Sequence, residues 1–233
     1  MPLEFDDYDV LTFDCYGTLI DWEAGILAAL RAPMAAHGIE ATDDQLLETF
    51  AGHEAAAEAG PYRPYREVLG SVLTAMVAEA GGVATPDEIA AFGGSVVDWP
   101  AFPDSATALA RLHERFKLGV ITNCDDDLFA ASEARLGTTF DWVVTAQQAK
   151  RYKPNPRGFE LMFERVGLPP ARILHVAQSL FHDHVTAKRL GLSTVWVDRR
   201  GDRPGSGATP PAEATPDLRV TDMASLAELA VSG

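Results

Sequence analysis

The chain has 233 residues, 47% apolar and 23% charged, which suits a soluble globular core with an inserted subdomain and excludes fibrous or low-complexity architectures. Its formal charge of -15, from 34 acidic against 19 basic residues, opposes nucleic acid and anionic lipid, and no Lys/Arg-rich run overcomes it. No apolar run approaches the roughly 20 residues of a membrane-spanning helix, and the acidic start lacks the basic flank of a signal peptide. A cytoplasmic protein with no nucleic-acid or membrane partner is expected. A small anionic substrate would need specific cations inside a pocket, so each Lys or Arg beside a motif carries weight. Cys15 and Cys124 are the two cysteines. In a reducing cytosol they read as buried thiols rather than a disulfide.

Residues 8–14 form a short apolar run that ends in the carboxylate of Asp14 and a Gly-containing turn, as a buried strand does. From about residue 21 to 94 the pattern turns alanine-rich and helical, with breaks at Gly38, Gly60-Pro61, Gly81-Gly82 and Thr85-Pro86 that leave room for four helices. After Trp99-Pro100, apolar runs at 117–122, 142–144, 173–177 and 194–197 alternate with amphipathic stretches. Such alternation predicts a parallel sheet covered on both faces. Residues 201–216 are rich in Pro and Gly and read as a surface loop, and residues 218–220 and 222–230 suit a last edge strand and helix. The expected fold is α/β: a doubly wound parallel sheet, a Rossmann-like core built from residues 1–16 and 99–233, with a helical cap at 17–98. Active sites in open parallel sheets lie at the carboxyl ends of the strands, and a cap anchored just after Asp14 would cover that edge.

Asp14 alone could be a nucleophile, a metal ligand or a helix cap. Three further strand ends bring polar groups to the same edge: Thr122-Asn123, Lys153 in the run Tyr152-Lys153-Pro154-Asn155-Pro156, and Asp183. In this order the four resemble the motifs of the haloacid dehalogenase superfamily, beginning with Asp-x-x-Gly-Thr-Leu at Asp14 to Leu19. The resemblance covers essentially the whole chain. It implies attack by the Asp14 carboxylate to give an ester, then attack of water on that ester. It further implies that Lys153 orients the carboxylate, that Thr122 and Asn123 hold substrate oxygens, and that Asp183 positions or deprotonates the water. Tyr16, Thr18 and Ser179 are expected against the substrate.

Phosphatases of the superfamily carry a second Asp two residues after the nucleophile to protonate the departing alkoxide, and here that residue is Tyr16. A phenol of pKa near ~10 is a poor substitute, whereas halide leaves unprotonated. The usual magnesium carboxylate is replaced by Gln178, a weaker ligand for a hard dication. Both substitutions resemble the 2-haloacid dehalogenase branch and imply no metal and no cofactor. A haloacid needs its carboxylate clamped, and Arg63 and Arg66 beside Tyr62 and Tyr65 offer guanidinium forks for it. Trp22, Tyr65 and Phe181 could wall off the halogen. Ala177, Ser179 and Phe159 depart from that branch, and the fourth motif is one residue longer, so another small 2-substituted acid stays open as substrate. So do a magnesium-dependent phosphatase and a silent binding protein of this fold. His182 and His184 flank Asp183 without a second cluster that would make a metal site. The cap and aromatics such as Trp99, taken as exposed, allow a homodimer.

Overall fold

The structure, a computed structural model, describes residues 3–231. Residues 1–2 and 232–233, the outermost of the two core segments expected from sequence, lie outside the described residues. Strand β1 (Val10–Phe13) is followed by helices α1 (Trp22–Ala36), α2 (Asp43–Glu58), α3 (Tyr65–Glu79) and α4 (Pro86–Gly94). Then come α5 (Ser105–His113), β2 (Lys117–Thr122), α6 (Asp126–Leu136), β3 (Trp142–Thr145), the short α7 (Ala146–Ala149) and α8 (Arg157–Val166). The chain ends with β4 (Ile173–Ala177), α9 (Val185–Arg189), β5 (Ser193–Val197), β6 (Leu218–Val220) and α10 (Met223–Val231).

The strands form one parallel sheet in the order β3-β2-β1-β4-β5-β6, the doubly wound arrangement expected from sequence. β1 and β4 are buried along their whole length, which is why both read as unbroken apolar runs rather than alternating ones. Neighbouring residues serve opposite layers: Leu174 and Val176 join the larger core with Leu109, Leu226 and Ala227, while Val10, Ile121 and Ile173 pack with Phe159 and Met162 of α8. Two polar residues interrupt these runs, Thr12 and His175. They are register partners across β1 and β4, so each supplies the other's hydrogen bond.

The four helices α1 to α4 of the insertion form where the breaks predicted them. Thr42 and Thr85 cap α2 and α4 through reciprocal bonds with Gln45 and Glu88, and Pro86 opens α4 where its missing N–H costs nothing. The two connections between this insertion and the sheet are tied to each other. Asp21 N donates to Pro100 O at 2.7 Å and Phe102 N to Leu19 O at 3.1 Å.

Trp99 corrects an expectation. It is 1% exposed and packs edge-on to Tyr16, with ring centroids 5.6 Å apart. It is a core residue at the root of the cap and gives no support to a homodimer. Helix α1 admits its ring because Gly25 has no side chain; a Cβ there would overlap Trp99. Gly25→Ala should therefore cost about 1–3 kcal/mol of stability by overpacking, although alanine favours helix elsewhere. Urea denaturation of the two forms measures it, and a neutral or stabilising result would contradict this packing.

Candidate active site

Asp14 leaves β1 with its N–H still bound to Val176 O at 3.0 Å, so its side chain departs from the centre of the sheet edge. The turn that follows needs Gly17, whose φ of 91° disfavours any side chain. It brings Thr18 back over Asp14. The Thr18 hydroxyl donates to Asp14 Oδ2 at 2.7 Å and accepts from Gln178 N at 2.9 Å, joining the first and fourth motifs. Lys153 Nζ donates to Asp14 Oδ1 at 2.9 Å, Ile121 O at 2.9 Å and Asp183 Oδ1 at 2.7 Å. An ammonium group has three N–H donors, and all three are occupied.

Asp183 Oδ1 also meets His175 Nε2 at 2.9 Å, and the far ring nitrogen lies 3.0 Å from Thr12 Oγ1. An ionised carboxylate only accepts, so Nε2 is the donor. Asp183 reaches this place through a turn of π-helix, Leu180–His184, in which His184 N bonds back five residues to Ser179 O. Such a turn takes up one extra residue. It would accommodate the longer fourth motif expected from sequence.

Burial favours the neutral form of all three charged groups, and partners then decide. For Lys153, burial is outweighed by Asp14 and Asp183, which hold it above the ordinary lysine range. For Asp183, Lys153 and His175 outweigh burial and hold it well below the carboxylate range. For Asp14, burial prevails over Lys153, and the Asp183 charge adds to it, so its pKa is raised. One cation serves two carboxylates unequally.

Over this cluster the cap places Glu54 and Glu58, one helical turn apart on α2. Glu54 Oε1 accepts from the Tyr65 hydroxyl at 2.6 Å, and Glu58 Oε2 accepts from Asn123 Nδ2 at 3.0 Å. Burial pushes Glu54 up to about 7; burial and the Glu54 charge push Glu58 well above the glutamate range. The enclosed chamber between sheet and cap holds about 20 Å³, room for one water. A groove of about 730 Å³ outside it shares Glu58 and Lys153 as lining. Three buried atoms of chamber-lining residues lack hydrogen-bond partners: Glu58 Oε1, Asp183 Oδ2 and His182 Nε2. Burial lowers His182 to about 4, so it is neutral at pH 7.

A haloacid dehalogenase-like hydrolase family model matches residues 8–191. The chain belongs to this family. Over 193 residues it is 29% identical to an (S)-2-haloacid dehalogenase of Xanthobacter autotrophicus, covering 81% of this chain and 74% of that protein. It is 33% identical over 175 residues to a phosphoserine phosphatase of Thermus thermophilus, 72% of this chain and 65% of that protein. The matched segments span 43% and 46% of the length of two other curated relatives. The fold is similar to that of the L-2-haloacid dehalogenase from Xanthobacter autotrophicus, with a TM-score of 0.80 at 22% identity over 95% of this chain and 98% of that one.

In this haloacid dehalogenase-like hydrolase the residues expected from sequence meet unevenly. Asp14, Lys153, Asp183, Tyr16, Asn123 and Ser179 line the chamber, and Thr18 sits behind Asp14. The Tyr16 hydroxyl points to Ser132 Oγ, 3.0 Å away. Asn123 braces Glu58 and the Lys153 backbone, and Ser179 binds the His182 N–H and lies against that ring's Nδ1, so neither presents a free group. Thr122 is buried beside Thr145 and is no part of the lining.

Arg63 and Arg66 require correction, because neither lines the chamber. Arg63 donates to Ser71, and Arg66 is half-exposed in an ion pair with Asp127 at 2.7 Å. The turn at Gly60-Pro61 and the start of α3 carry both guanidinium groups away from Asp14. Trp22 and Tyr65 do wall the chamber, whereas Phe181 lines the outer groove. Both cysteines are buried and free.

Glu54, Glu58 and His175 were missed. Each had a signal: Glu54 continues the buried stripe Leu47, Phe50 and Ala51 of α2 with Glu58 one turn on, and His175 interrupts an apolar strand. Among the described residues no group of three or more His, Cys, Asp or Glu is spaced to hold a metal ion, and no helix is long and apolar enough to cross a membrane.

The buried acids predict a pH dependence. A glutamate with a raised folded pKa contributes fully below its unfolded value and loses that contribution as pH rises through the folded one. For Glu54, rising from 4.5 to about 7, the loss is about 3 kcal/mol. Glu54→Gln should gain up to about that much over the parent between pH 5 and 8, read by urea denaturation at each pH. An advantage that does not grow with pH would show that Glu54 is not held neutral.

Proposed function

We propose that this hydrolase cleaves a carbon–halogen bond in a small 2-substituted substrate through a covalent ester on Asp14, without a metal. The observation that carries the reading is the position of Tyr16. The residue that stands where a leaving-group acid would be needed has its hydroxyl on Ser132. The leaving group must then depart without a proton from that side, as halide does. Similarity to (S)-2-haloacid dehalogenases supports the same bond.

In the first step an Asp14 carboxylate oxygen attacks the substituted carbon; the C–O bond forms as the C–X bond breaks, and halide leaves with the bonding pair. Lys153 and Thr18, one on each carboxylate oxygen, hold Asp14 for in-line attack. In the second step water attacks the Asp14 carboxyl carbon. Asp183, ionised and with Oδ2 free, takes one proton from the water and returns it to the departing alkoxide, which leaves as an alcohol; the water's other proton remains on the Asp14 carboxyl and is released to solvent, which regenerates the carboxylate. Lys153 stabilises the oxyanion formed at Asp14 between these events.

The chamber would offer magnesium, which the phosphatase alternative requires, a poor set of donors: Lys153 already holds Asp14 and Asp183, and the neutral Gln178 has its Oε1 on the Thr209 hydroxyl at 3.3 Å. No step runs through a metal.

Halide release from a panel of chloro-, bromo- and fluoro-substituted two- and three-carbon acids, amides and alcohols should persist in EDTA and vanish in Asp14→Asn. Absence of release across the panel, with p-nitrophenyl phosphate hydrolysed only when magnesium is added, would overturn the proposal in favour of a phosphatase. Tyr16→Phe should lose less than tenfold in kcat, where removal of a general acid costs about 10²–10⁴. Because Asp14 must be ionised to attack and its pKa is raised, the acid limb of kcat/KM should lie above the ~3.9 of an ordinary aspartate, with activity lost as pH falls through it.

A further inference from the structure

We propose that Glu58 and His182 recognise the non-reacting end of the substrate as a hydrogen-bond acceptor, the carbonyl oxygen of a carboxylate or a carboxamide, each donating one hydrogen from a side chain that carries no charge. The inference deepens the function proposed above and rests on it only for where the reacting carbon sits.

Most side-chain donors around the chamber are already engaged. Lys153 has its three on Asp14, Ile121 O and Asp183, and Asn123 Nδ2 gives its two to Glu58 Oε2 and Lys153 O. The Tyr16 hydroxyl is with Ser132, and the Tyr65 hydroxyl donates to Glu54. The Trp22 indole nitrogen is turned to Gly17, where any Cβ would meet it at 3.0 Å, and the unpartnered Thr122 hydroxyl is no part of the lining. Three lining atoms remain buried without a partner: Asp183 Oδ2, Glu58 Oε1 and His182 Nε2. The first only accepts and faces the hydrolytic water.

The neighbours of the other two place a hydrogen on each. His182 N donates to Ser179 Oγ at 2.9 Å, which leaves the Ser179 hydroxyl hydrogen for His182 Nδ1 at 3.0 Å, so a neutral ring carries its own hydrogen on Nε2. Asn123 donates to Glu58 Oε2 at 3.0 Å, which makes Oε2 the carbonyl oxygen of a glutamic acid and puts the hydroxyl on Oε1. Glu58 is neutral because its side chain is 5% exposed, Glu54 lies one turn away, and Lys153, the only Lys or Arg of the lining among the described residues, has no N–H left for it. Burial and Glu54 hold its pKa well above the glutamate range, and burial keeps His182 uncharged at pH 7.

His182 Nε2 lies 3.9 Å from Glu58 Oε2, so ring and acid stand side by side and can close on one acceptor group. Buried donors left unpaired are costly, and an acceptor that takes both removes the cost. Because neither donor is charged, the carbonyl oxygen rather than the charge of the ligand decides binding.

Acetate, acetamide and acetamidinium have one shape and no leaving group; the first two carry an acceptor oxygen and the third carries none. Titrated into the unmodified protein at pH 7 and followed by saturation-transfer NMR, acetate and acetamide should bind within about tenfold of each other, and each at least about tenfold more tightly than acetamidinium. His182→Phe and Glu58→Leu, which remove one donor each, should weaken both ligands at least about threefold. Glu58→Gln, whose amide can accept from Asn123 and donate into the chamber, should restore what Glu58→Leu loses. Acetamidinium binding as tightly as acetamide, acetate and acetamide more than tenfold apart, or no binding by any of the three overturns the proposal without recourse to a variant. So does acetate binding tenfold or more tighter to Glu58→Gln than to the parent, which marks an ionised Glu58. Bromide released by His182→Phe while acetamide is unmoved assigns the donors to the departing halide and overturns it too. Because no bond is broken, failure of the Asp14 chemistry shows in the halide assay and not here.

Discussion

The site is organised by one ammonium group between two carboxylates. Lys153 neutralises one charge, leaves one, and divides its effect: Asp183 is held strongly anionic while Asp14 remains the less stabilised partner. A tightly stabilised Asp14 would be a poor nucleophile, and an isolated buried one would be protonated. The shared cation avoids both. It also settles where Lys153 can stand, because its third bond, to Ile121 O, fixes the side chain to the edge of β2. Strand, turn and motif geometry converge on those three acceptors, and the distances of 2.7 to 2.9 Å leave little slack.

The insertion then determines what this centre meets. Its two connections are hydrogen-bonded to one another beside Asp21 and Pro100, with Trp99 seated on Gly25, so the root of the cap is anchored firmly. From that root α2 carries Glu54 and Glu58 over Asp14. Sheet and cap therefore divide the chamber, the sheet edge supplying Asp14, Lys153 and Asp183, and the cap setting Glu54 and Glu58 opposite them.

Much of this was legible in the residues. Unbroken apolar runs announced strands buried on both faces, the Gly and Pro breaks marked the four helices, and the spacing of Asp14, Lys153 and Asp183 brought three charged side chains to one edge. The arginines were not legible. Arg63 and Arg66 sit beside aromatics as binding residues do, but which way they face depends on the entry angle of α3, a tertiary quantity. Trp99 is not legible either, because its burial depends on Gly25, more than seventy positions earlier. Glu54 was overlooked because acids on helices are usually solvated, and only its phase with Leu47, Phe50 and Ala51 reveals that it faces inward.

The π turn after β4 acts as a phase adjuster. In an α-helix each residue advances the side-chain direction by about 100°, so the added residue between Ser179 and Asp183 would rotate the carboxylate away from Lys153 unless the backbone absorbed it in a wider loop. The bond from His184 N to Ser179 O is that wider loop. Sequence length in this motif is thus coupled to aim: a chain lacking the extra residue must close the turn as an ordinary helix to point the same acid at the same cation. A residue can therefore be added to or removed from this segment only together with a change in the turn that carries it.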